Sequence, residues 1–246
     1  MFLFSIKGVA ITASFRVPET HTFHQTLPLP PKTTIIGMLG AALGFNLEDA
    51  HDYVNQNNIL VGVYGKHKGM MKDLWNYRKI TGKEKKYTPE DIRNRKHYSI
   101  LIREYLYHAD FFIYFASDKL KSIEMLRNAM HSPVYPLTAG TSDDLFKISN
   151  VSKISDVQVE KLSIFEHTIL PEDVSKFCKS DIDFSKIPIT KTIYLPQVFL
   201  LPTKFAFIMD DRRVIERKPF TFISTSVTIE KPIEGYVVEG RNIVLQ

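Results

Sequence analysis

Apolar side chains at every second position mark the first strand of the chain. They run from Phe2 to Ile6, and after Gly8 the apolar positions move by one residue, to Val9, Ile11, Ala13 and Phe15. A period of two is typical of a half-buried strand. Because an extra residue in a strand produces such a shift, we predict a β-bulge at Gly8.

A proline-rich loop leads into the first predicted helix. Pro28, Pro30 and Pro31 precede a helix that we expect to begin at Lys32 and to end near Gly44. Proline is common in a first helical turn, because that position needs no N–H donor. The outward-pointing amides of such a turn can bind an anion such as a phosphate.

Small residues line one face of this helix. Gly37, Gly40, Ala41 and Gly44 recur at spacings of three and four residues, which places them together. A face without side chains lets another backbone come close. The pattern leaves open whether that neighbour is a sheet or a ligand.

The rest of the N-terminal part alternates between strand and helix patterns. We predict strands at 59–64, 99–107 and 111–115, a helix at 120–130 capped by Ser117 or Asp118, and a closing strand within 146–159. This order predicts an α+β protein built on a ferredoxin-like (RRM-like) βαββαβ domain. Two helices cover one face of such a sheet, and RNA-recognition domains bind RNA on the open face.

The C-terminal part has a different pattern. We predict short strands at 192–201, 204–209, 220–229, 235–238 and 243–245, with Asp210-Asp211 as a turn. Residues 160–187 show no clear periodicity, so we expect irregular or partly helical structure there. The chain is therefore divided into a first domain, 1–160, and a β-rich C-terminal portion, 161–246, packed on it.

Positive charge is concentrated between Lys66 and Lys96. This stretch carries a net charge of +7 in a chain of +5, which leaves −2 for the remainder. Its cations are interleaved with Trp75, Tyr77, Tyr87 and Tyr98. Cations that follow a phosphate backbone and rings that stack on bases are typical of single-stranded nucleic-acid binding. The insertion 66–98 is also longer than a hairpin connection needs, and a solvated, mobile loop is the alternative interpretation.

Composition argues against several other classes of protein. The single cysteine, Cys178, excludes an internal disulfide framework and a thiolate metal cluster, and it favours an intracellular location. Lys7 interrupts the apolar N-terminus, which is unlike a signal peptide, and no apolar run reaches the length of a membrane span. No metal or nucleotide motif is present, so we expect a cytoplasmic protein without a cofactor or metal.

Residues 15–44 carry a family resemblance. They read FRVPETHTFHQTLPLPPKTTIIGMLGAALG, and this order of arginine, polar loop, prolines and glycine-rich helix resembles the N-terminal signature of the fifth CRISPR-associated (Cas) family. Those proteins belong to the RAMP superfamily and are subunits of the type I Cascade surveillance complex. A second similar segment is Tyr135-Pro136-Leu137 with Gly140 and Ser142-Asp143-Asp144, although Thr141 stands where the family often has a basic residue.

The resemblance implies an RNA-binding structural subunit without catalytic activity. Such a subunit caps the 5′ handle of the CRISPR RNA (crRNA), contacts the backbone subunit and the large subunit, meets target DNA only indirectly, and needs no membrane. In this family a β-hairpin projects like a thumb towards the RNA and a neighbouring subunit, and the insertion 66–98 is the candidate here. The predicted RNA-binding residues are Arg16, Thr20, His21, His24, Lys32, Thr33, Thr34, Lys66, Lys68, Arg78, Lys79, Lys83, Lys85, Lys86, Arg93, Arg95 and Lys96.

Two other functions stay open. Tyr64, Lys66 and His67 could supply the base and the acid of a metal-independent endoribonuclease that processes repeat RNA. One branch of the family does cut repeat RNA with tyrosine, lysine and histidine residues, but its motif is not matched here residue by residue. A generic single-stranded nucleic-acid binder that joins no complex is the second alternative.

Overall fold

The computed structural model describes residues 1–21, 23–78, 98–180, 194–208 and 211–246. Its helices are α1 (Lys32–Leu43), α2 (Leu47–Gln56) and α3 (Leu120–His131), with a 3-10 turn at Ser175–Phe177. The strands as far as the insertion are β1 (Phe2–Ala13), β2 (Phe15–Arg16), β3 (Phe23–His24), β4 (Thr26–Leu27), β5 (Leu60–Lys66), β6 (Gly69–Arg78) and β7 (Tyr98–Ser117). The later strands are β8 (Lys147–Val151), β9 (Ser155–Asp156), β10 (Glu160–Phe165), β11 (Thr168–Pro171), β12 (Cys178–Lys179), β13 (Gln197–Ile208), β14 (Asp211–Ile223), β15 (Val227–Val238) and β16 (Arg241–Ile243).

A large, mainly antiparallel sheet organises the described residues, and an α+β protein is confirmed. The main path through its ten strands is β13-β14-β11-β5-β7-β1-β8, with β3, β6 and β9 attached beside it. Strand β1 is antiparallel to both β7 and β8, and β5 is antiparallel to β7. The C-terminal strands β11, β13 and β14 extend this same sheet, so the division at residue 160 stays a prediction. None of the helices in the described ranges is long and apolar enough to cross a membrane.

The main core lies between the sheet and helices α1 and α3. Phe4 and Phe115 stack across β1 and β7 with ring centroids 5.3 Å apart. Leu39 of α1 and Ile123 of α3 are fully buried in the same cluster. Burial of each such side chain contributes about 1.5–3 kcal/mol relative to exposure, which fixes both helices on this face.

The opposite face of the sheet is not open where β5, β7 and β1 meet. Tyr64, Tyr114 and Leu3 pack there against Tyr236 and other side chains of β15 and β16. The expectation of an open face that binds RNA is therefore wrong for this region. The C-terminal hairpin covers the aromatic surface that the N-terminal pattern alone left unpartnered.

The predicted shift in β1 occurs on one side only. The register of β1 against β8 shifts between Lys7 and Gly8, whereas its register against β7 is regular from Phe2 to Ala13. Of the apolar positions after the shift, Val9 and Ile11 are exposed, at 42% and 72%, whereas Ala13 and Phe15 are buried. Gly8 instead makes room for the ring of Phe146, which occupies the space of its absent side chain.

Several predicted element boundaries are corrected. Strand β7 is continuous over Tyr98–Ser117, although His108 has a positive φ of 47°, so the predicted break at Ala109-Asp110 is wrong. Residues 160–180 contain three short strands instead of irregular or helical structure, because each pairs with a distant strand. Helix α2 was not predicted, although Asn46 caps it by accepting a hydrogen bond from the Asp49 N–H at 2.8 Å.

The small face of α1 meets another helix. Gly40 is buried, and a side chain at this position would lie 2.9 Å from the β-carbon of Ala50 in α2. Gly44 ends α1 in the left-handed conformation, with φ of 76°. Gly37 is exposed with open space around it. The close approach predicted from the glycines therefore exists, and it serves helix–helix packing.

Candidate nucleic-acid interface

The proline loop is held by its own hydrogen bonds and by β7, where the Glu104 carboxylate accepts a hydrogen bond from the Thr26 N–H at 3.3 Å. Arg16 donates two hydrogen bonds to the carbonyl of Thr20, at 2.9 and 3.2 Å, which closes the loop on itself. Pro28, Pro30 and Pro31 are buried. Because proline has no N–H group, these three positions bring no unpaired backbone donor into the interior. The start of α1 follows directly after these prolines.

The start of α1 has no side-chain cap. Pro31 occupies the capping position, and its carbonyl accepts from the N–H groups of Thr34 and Ile35 at 2.9 and 3.2 Å. No acidic residue lies in the first turn. An uncapped first turn keeps the partial positive charge of the helix available to an anion.

A cleft of about 410 Å³ lies between this helix start and the β13–β14 hairpin. Arg16 and Thr33 line it from the N-terminal side, and Arg212 and Arg217 line it from β14. Pro18, Leu27, Pro31, Leu201, Pro202, Phe205 and Val214 form its apolar walls. None of the described residues that line the cleft is acidic. The arrangement suits a ligand with an anionic group and an apolar face.

The electrostatic effect of these cations reaches the residues behind the cleft. Burial lowers the pKa of His51, and the charges of Arg212 and Lys32 lower it further. Burial also lowers the pKa of Lys32, which lines a small adjoining cavity with Thr33. The ring of His51 meets that of Phe205 edge-on, with centroids 5.1 Å apart. His51 is therefore kept neutral under a cationic surface.

The other predicted loop residues stand beside the cleft rather than in it. The Thr20 hydroxyl donates to the carbonyl of Val17 at 2.9 Å, a contact that holds the turn. His21 is exposed. His24 lies beside Arg103 in the sheet, and burial, followed by the charge of Arg16, lowers its pKa. The structure thus brings Arg16 and Thr33 together, and it assigns Thr20 a structural contact.

The flanks of the basic insertion form an antiparallel ribbon. Strands β6 and β7 pair from Gly69 opposite Tyr107 to Arg78 opposite Tyr98. Lys66 and Lys68 are exposed at its base. The predicted contacts Lys79, Lys83, Lys85, Lys86, Arg93, Arg95 and Lys96 lie outside the described residues, as does the side chain of Arg78.

An arginine lies between two aromatic rings on this ribbon. The guanidinium carbon of Arg103 is 4.2 Å from the ring centroid of Trp75 and 4.1 Å from that of Tyr105. Arg103 is only 5% exposed, whereas Trp75 is 42% exposed. Cation–π contacts of this kind contribute about 0.5–2 kcal/mol. The stack holds the Trp75 ring rigidly at the surface.

A second cavity, of about 200 Å³, lies beside β5 and gathers Lys66, His67, His167 and Tyr194. His67 Nδ1 is 3.1 Å from the carbonyl of Gly69, and burial lowers the pKa of this histidine. Tyr64, the third member of the predicted trio, donates its hydroxyl hydrogen to Glu166 at 2.8 Å. Burial, followed by this hydrogen bond, raises the pKa of Tyr64 far above its usual range, so the hydroxyl stays protonated.

The second family-like segment supports the end of β1. Gly140 has φ of 108°, and any side chain there would collide with the backbone of Ser14. The buried carboxylate of Asp144 accepts hydrogen bonds from Thr12 at 2.6 Å and from Thr141 at 2.7 Å. Thr141 therefore has a structural partner, and this loop is a support rather than a phosphate site.

Sequence reasoning missed Arg103, Arg212 and Arg217. For Arg212, the available signal was the pair Arg212-Arg213 directly after the predicted turn Asp210-Asp211. The net charge of −2 outside the insertion concealed it, because a sum over the chain does not show which charges converge in space.

Comparison with known proteins gives the family. The model of the family described as CRISPR-associated protein (Cas_Cas5) matches residues 9–177, more than half of the chain. No curated protein sequence matches the chain. Solved structures provide the further likenesses.

Three solved structures share the fold. A chain of a CRISPR RNA-guided surveillance complex superposes with a TM-score of 0.54 at 14% identity, over 94% of this chain and 91% of that chain. A CRISPR protein from Archaeoglobus fulgidus gives 0.50 at 11% identity, over 100% and 99%. A chain of the type III-B Cmr-beta complex bound to cognate target RNA and AMPPnP gives 0.50 at 13%, over 92% and 86%. With the family match over residues 9–177, the chain belongs to the Cas5 family of CRISPR-associated proteins.

Proposed function

We propose that this protein is a non-catalytic, RNA-binding subunit of a type I CRISPR surveillance complex. It caps the 5′ handle of the crRNA and contacts the backbone and large subunits. The observation that carries the proposal is the family match over residues 9–177, which include the proline loop, the helix start and the insertion. Guide–target pairing supplies sequence recognition in such complexes, while the protein contacts backbone and shape.

The geometry supports this function through two separate cationic features. The cleft offers the guanidinium groups of Arg16, Arg212 and Arg217 beside an uncapped helix start. The ribbon forms the flanks of the insertion of residues 66–98 and presents Trp75 as a partly exposed ring. Phosphate contacts of this kind add affinity without reading sequence, as a subunit that holds one constant RNA end requires.

We also propose that β1, α1, β5, β7, α3 and β8 form the expected ferredoxin-like unit. The strand order β5-β7-β1-β8 with antiparallel neighbours supports this assignment. In this interpretation α2 is an addition after α1. The strands from β10 onward form a C-terminal portion, of which β11, β13 and β14 extend the sheet and β15 and β16 cover one face of it.

The direct test is to isolate a tagged copy from cells that carry its CRISPR array and neighbouring genes. We expect co-purified RNAs with 5′ ends at one fixed position in the repeat, together with a repeated backbone subunit and a large subunit. Ultraviolet crosslinking should join the handle nucleotides to peptides of the proline loop and the insertion. Recovery of an unselected RNA mixture without partner subunits would instead favour a generic single-stranded binder.

The insertion gives a separate prediction. Replacing Lys83, Lys85 and Lys86 together by glutamate should weaken RNA binding and make it less dependent on salt, because each neutralised phosphate contributes about 0.7 to the logarithmic salt slope of a single strand. The matched control reverses Lys121 in α3 and Lys147 and Lys153 in or beside β8, which gives the same change in net charge outside the cleft and the β6–β7 ribbon. Filter binding across a salt titration measures both. Equal loss in the two variants would show that only overall charge matters.

A specific observation favours one second candidate, a metal-independent ribonuclease. In the tautomer in which Nδ1 donates to Gly69, His67 keeps Nε2 available to accept the 2′-hydroxyl proton, and its lowered pKa keeps it neutral at physiological pH. Lys66 in the same cavity can stabilise developing negative charge. Incubating the protein with repeat RNA in the presence of EDTA tests this candidate. If the parent cleaves the RNA at one site and the His67→Ala variant does not, the protein is a ribonuclease and the non-catalytic assignment is wrong.

A further inference from the structure

The β13–β14 hairpin contains two irregularities beside the cleft. The register shifts between Pro202 and Lys204 and back again between Lys204 and Phe205, which leaves Thr203 and Ile215 as the extra residues of their strands. The Thr203 hydroxyl donates to the carboxylate of Glu216 at 2.7 Å across this point. Bulges redirect side chains and are frequent next to functional sites.

The extra residue in β14 changes where its arginines point. Arg212 and Val214 share one face of the strand, and in a regular strand Arg217, three residues beyond Val214, would point to the other face. Ile215 breaks this alternation, and Arg217 lines the same cleft as Arg212. The bulge therefore assembles a pair of guanidinium groups that a regular hairpin would separate.

The surroundings hold these groups in position without neutralising all of them. The guanidinium carbon of Arg212 lies 4.8 Å from the ring centroid of Phe205. Arg217 contacts Glu19 of the proline loop at 2.7 Å, with both side chains partly exposed. Arg16 donates two hydrogen bonds to the neutral Thr20 carbonyl of its own loop, so its positive charge is not neutralised there. Among the described residues, Arg16, Arg212 and Arg217 line the cleft, and the Glu19 carboxylate contacts Arg217.

We propose that this cleft binds one phosphodiester of single-stranded RNA, with Arg212 and Arg217 as its ligands and the Pro18 and Leu201 walls against the attached nucleoside. Planar guanidinium groups match phosphate with two parallel hydrogen bonds each. The volume lies within the range of about 300–1,000 Å³ that small-ligand sites occupy. The inference rests on the proposed RNA-binding function, and it gives the β13–β14 hairpin a direct part in it.

Glu19 is then a competitor for the RNA. While Glu19 engages Arg217, a phosphate must displace it, and its charge repels the incoming anion. Replacing Glu19 by glutamine should therefore strengthen RNA binding, whereas replacing either arginine should weaken it. If the ion pair were purely structural, breaking it from either side would weaken RNA binding. Opposite effects of the two substitutions on RNA affinity would therefore indicate that Arg217 binds the RNA.

The test measures the affinity of the purified chain for a single-stranded repeat RNA between 50 and 200 mM salt. Because the two arginines neutralise one phosphate between them, Arg212→Gln/Arg217→Gln should flatten the logarithmic salt slope by about 0.7, so that parent affinity falls about 2.6-fold more than variant affinity over this range. Arg212→Lys/Arg217→Lys should keep the slope but bind more weakly, because lysine lacks the two-pronged geometry. Arg213→Gln is the matched control on the same strand, outside the cleft.

The outcomes distinguish this inference from the proposed function. If the parent binds RNA with a steep salt slope and the double glutamine variant has the same slope, the cleft is not a phosphate site, although the chain is still an RNA binder. If the variant binds RNA normally but no longer assembles with partner subunits, the cleft holds an acidic protein segment and the inference is wrong. If the parent binds no RNA, the proposed function itself fails. Thermal unfolding of each variant checks that the fold is retained.

Discussion

The contact of Gly40 with Ala50 allows a quantitative test of the packing of α1 on α2. A methyl group added at Gly40 would lie 2.9 Å from the Ala50 β-carbon, closer than carbon atoms normally approach. In Gly40→Ala the helix gains about 0.8–1 kcal/mol of intrinsic propensity. Overpacking a tight contact costs about 1–3 kcal/mol. The net change should lie between about 0 and 2 kcal/mol of destabilisation.

Gly37 offers a control on the same helix. It is exposed, and an added β-carbon would meet no other atom within 4 Å. Gly37→Ala should therefore be more stable than the parent by the full gain in helix propensity, about 0.8–1 kcal/mol. The two alanine variants should thus differ by about 1–3 kcal/mol, which corresponds to roughly 2–12 °C in Tm for a chain of this size.

Thermal and urea unfolding followed by far-ultraviolet circular dichroism measure this difference. Removing the opposing methyl group provides the decisive control: Ala50→Gly should destabilise the parent through lost helix propensity but relieve the clash in Gly40→Ala, which gives a favourable coupling energy between the two sites. If Gly40→Ala is as stable as Gly37→Ala, or if the coupling is zero, the glycine is not required by close packing. The larger Gly40→Leu should then also fold and assemble normally.

Two further predictions concern the sheet and the pH dependence of stability. Gly8→Ala should lose about 1–3 kcal/mol because its methyl group would collide with the Phe146 ring, whereas Gly69→Ala, which has open space, should not; equal unfolding midpoints would contradict the packing at Gly8. The pKa of His51 is lowered in the folded state, so on acidification the unfolded state takes up a proton first, and the contribution of this histidine to stability is lost as pH falls through about 6.5 towards the folded pKa. His51→Asn should flatten the stability profile between about pH 7 and 5 in urea unfolding, and an unchanged profile would refute this assignment.

Local patterns determined most of the N-terminal elements. The proline run before Lys32, the left-handed Gly44 and the apolar face of Ile123, Leu126 and Met130 placed helices α1 and α3 within one or two residues. Such signals are local, because caps, missing donors and helical periodicity depend on neighbours along the chain. The charge pattern likewise indicated an insertion whose flanks form a ribbon.

Long-range pairing decided what the sequence could not. Residues 160–180 lack strand periodicity, yet β10, β11 and β12 form because distant strands supply their hydrogen bonds. The face of β5 and β7 opposite helices α1 and α3 was expected to be open, and it is covered by side chains from β15 and β16. Neither result depends on local propensity, since strand formation reflects the partner as much as the residue.

The sequence by itself determined the family signature, the first helix and the concentration of positive charge between residues 66 and 96. Only the tertiary structure decided that Arg16 would share a cleft with Arg212 and Arg217, about 200 positions further along the chain. The physical reason is that net charge is a sum over the chain, whereas binding depends on where charges converge in space. That convergence is set by a one-residue irregularity in a hairpin, which leaves no periodic signal in the sequence.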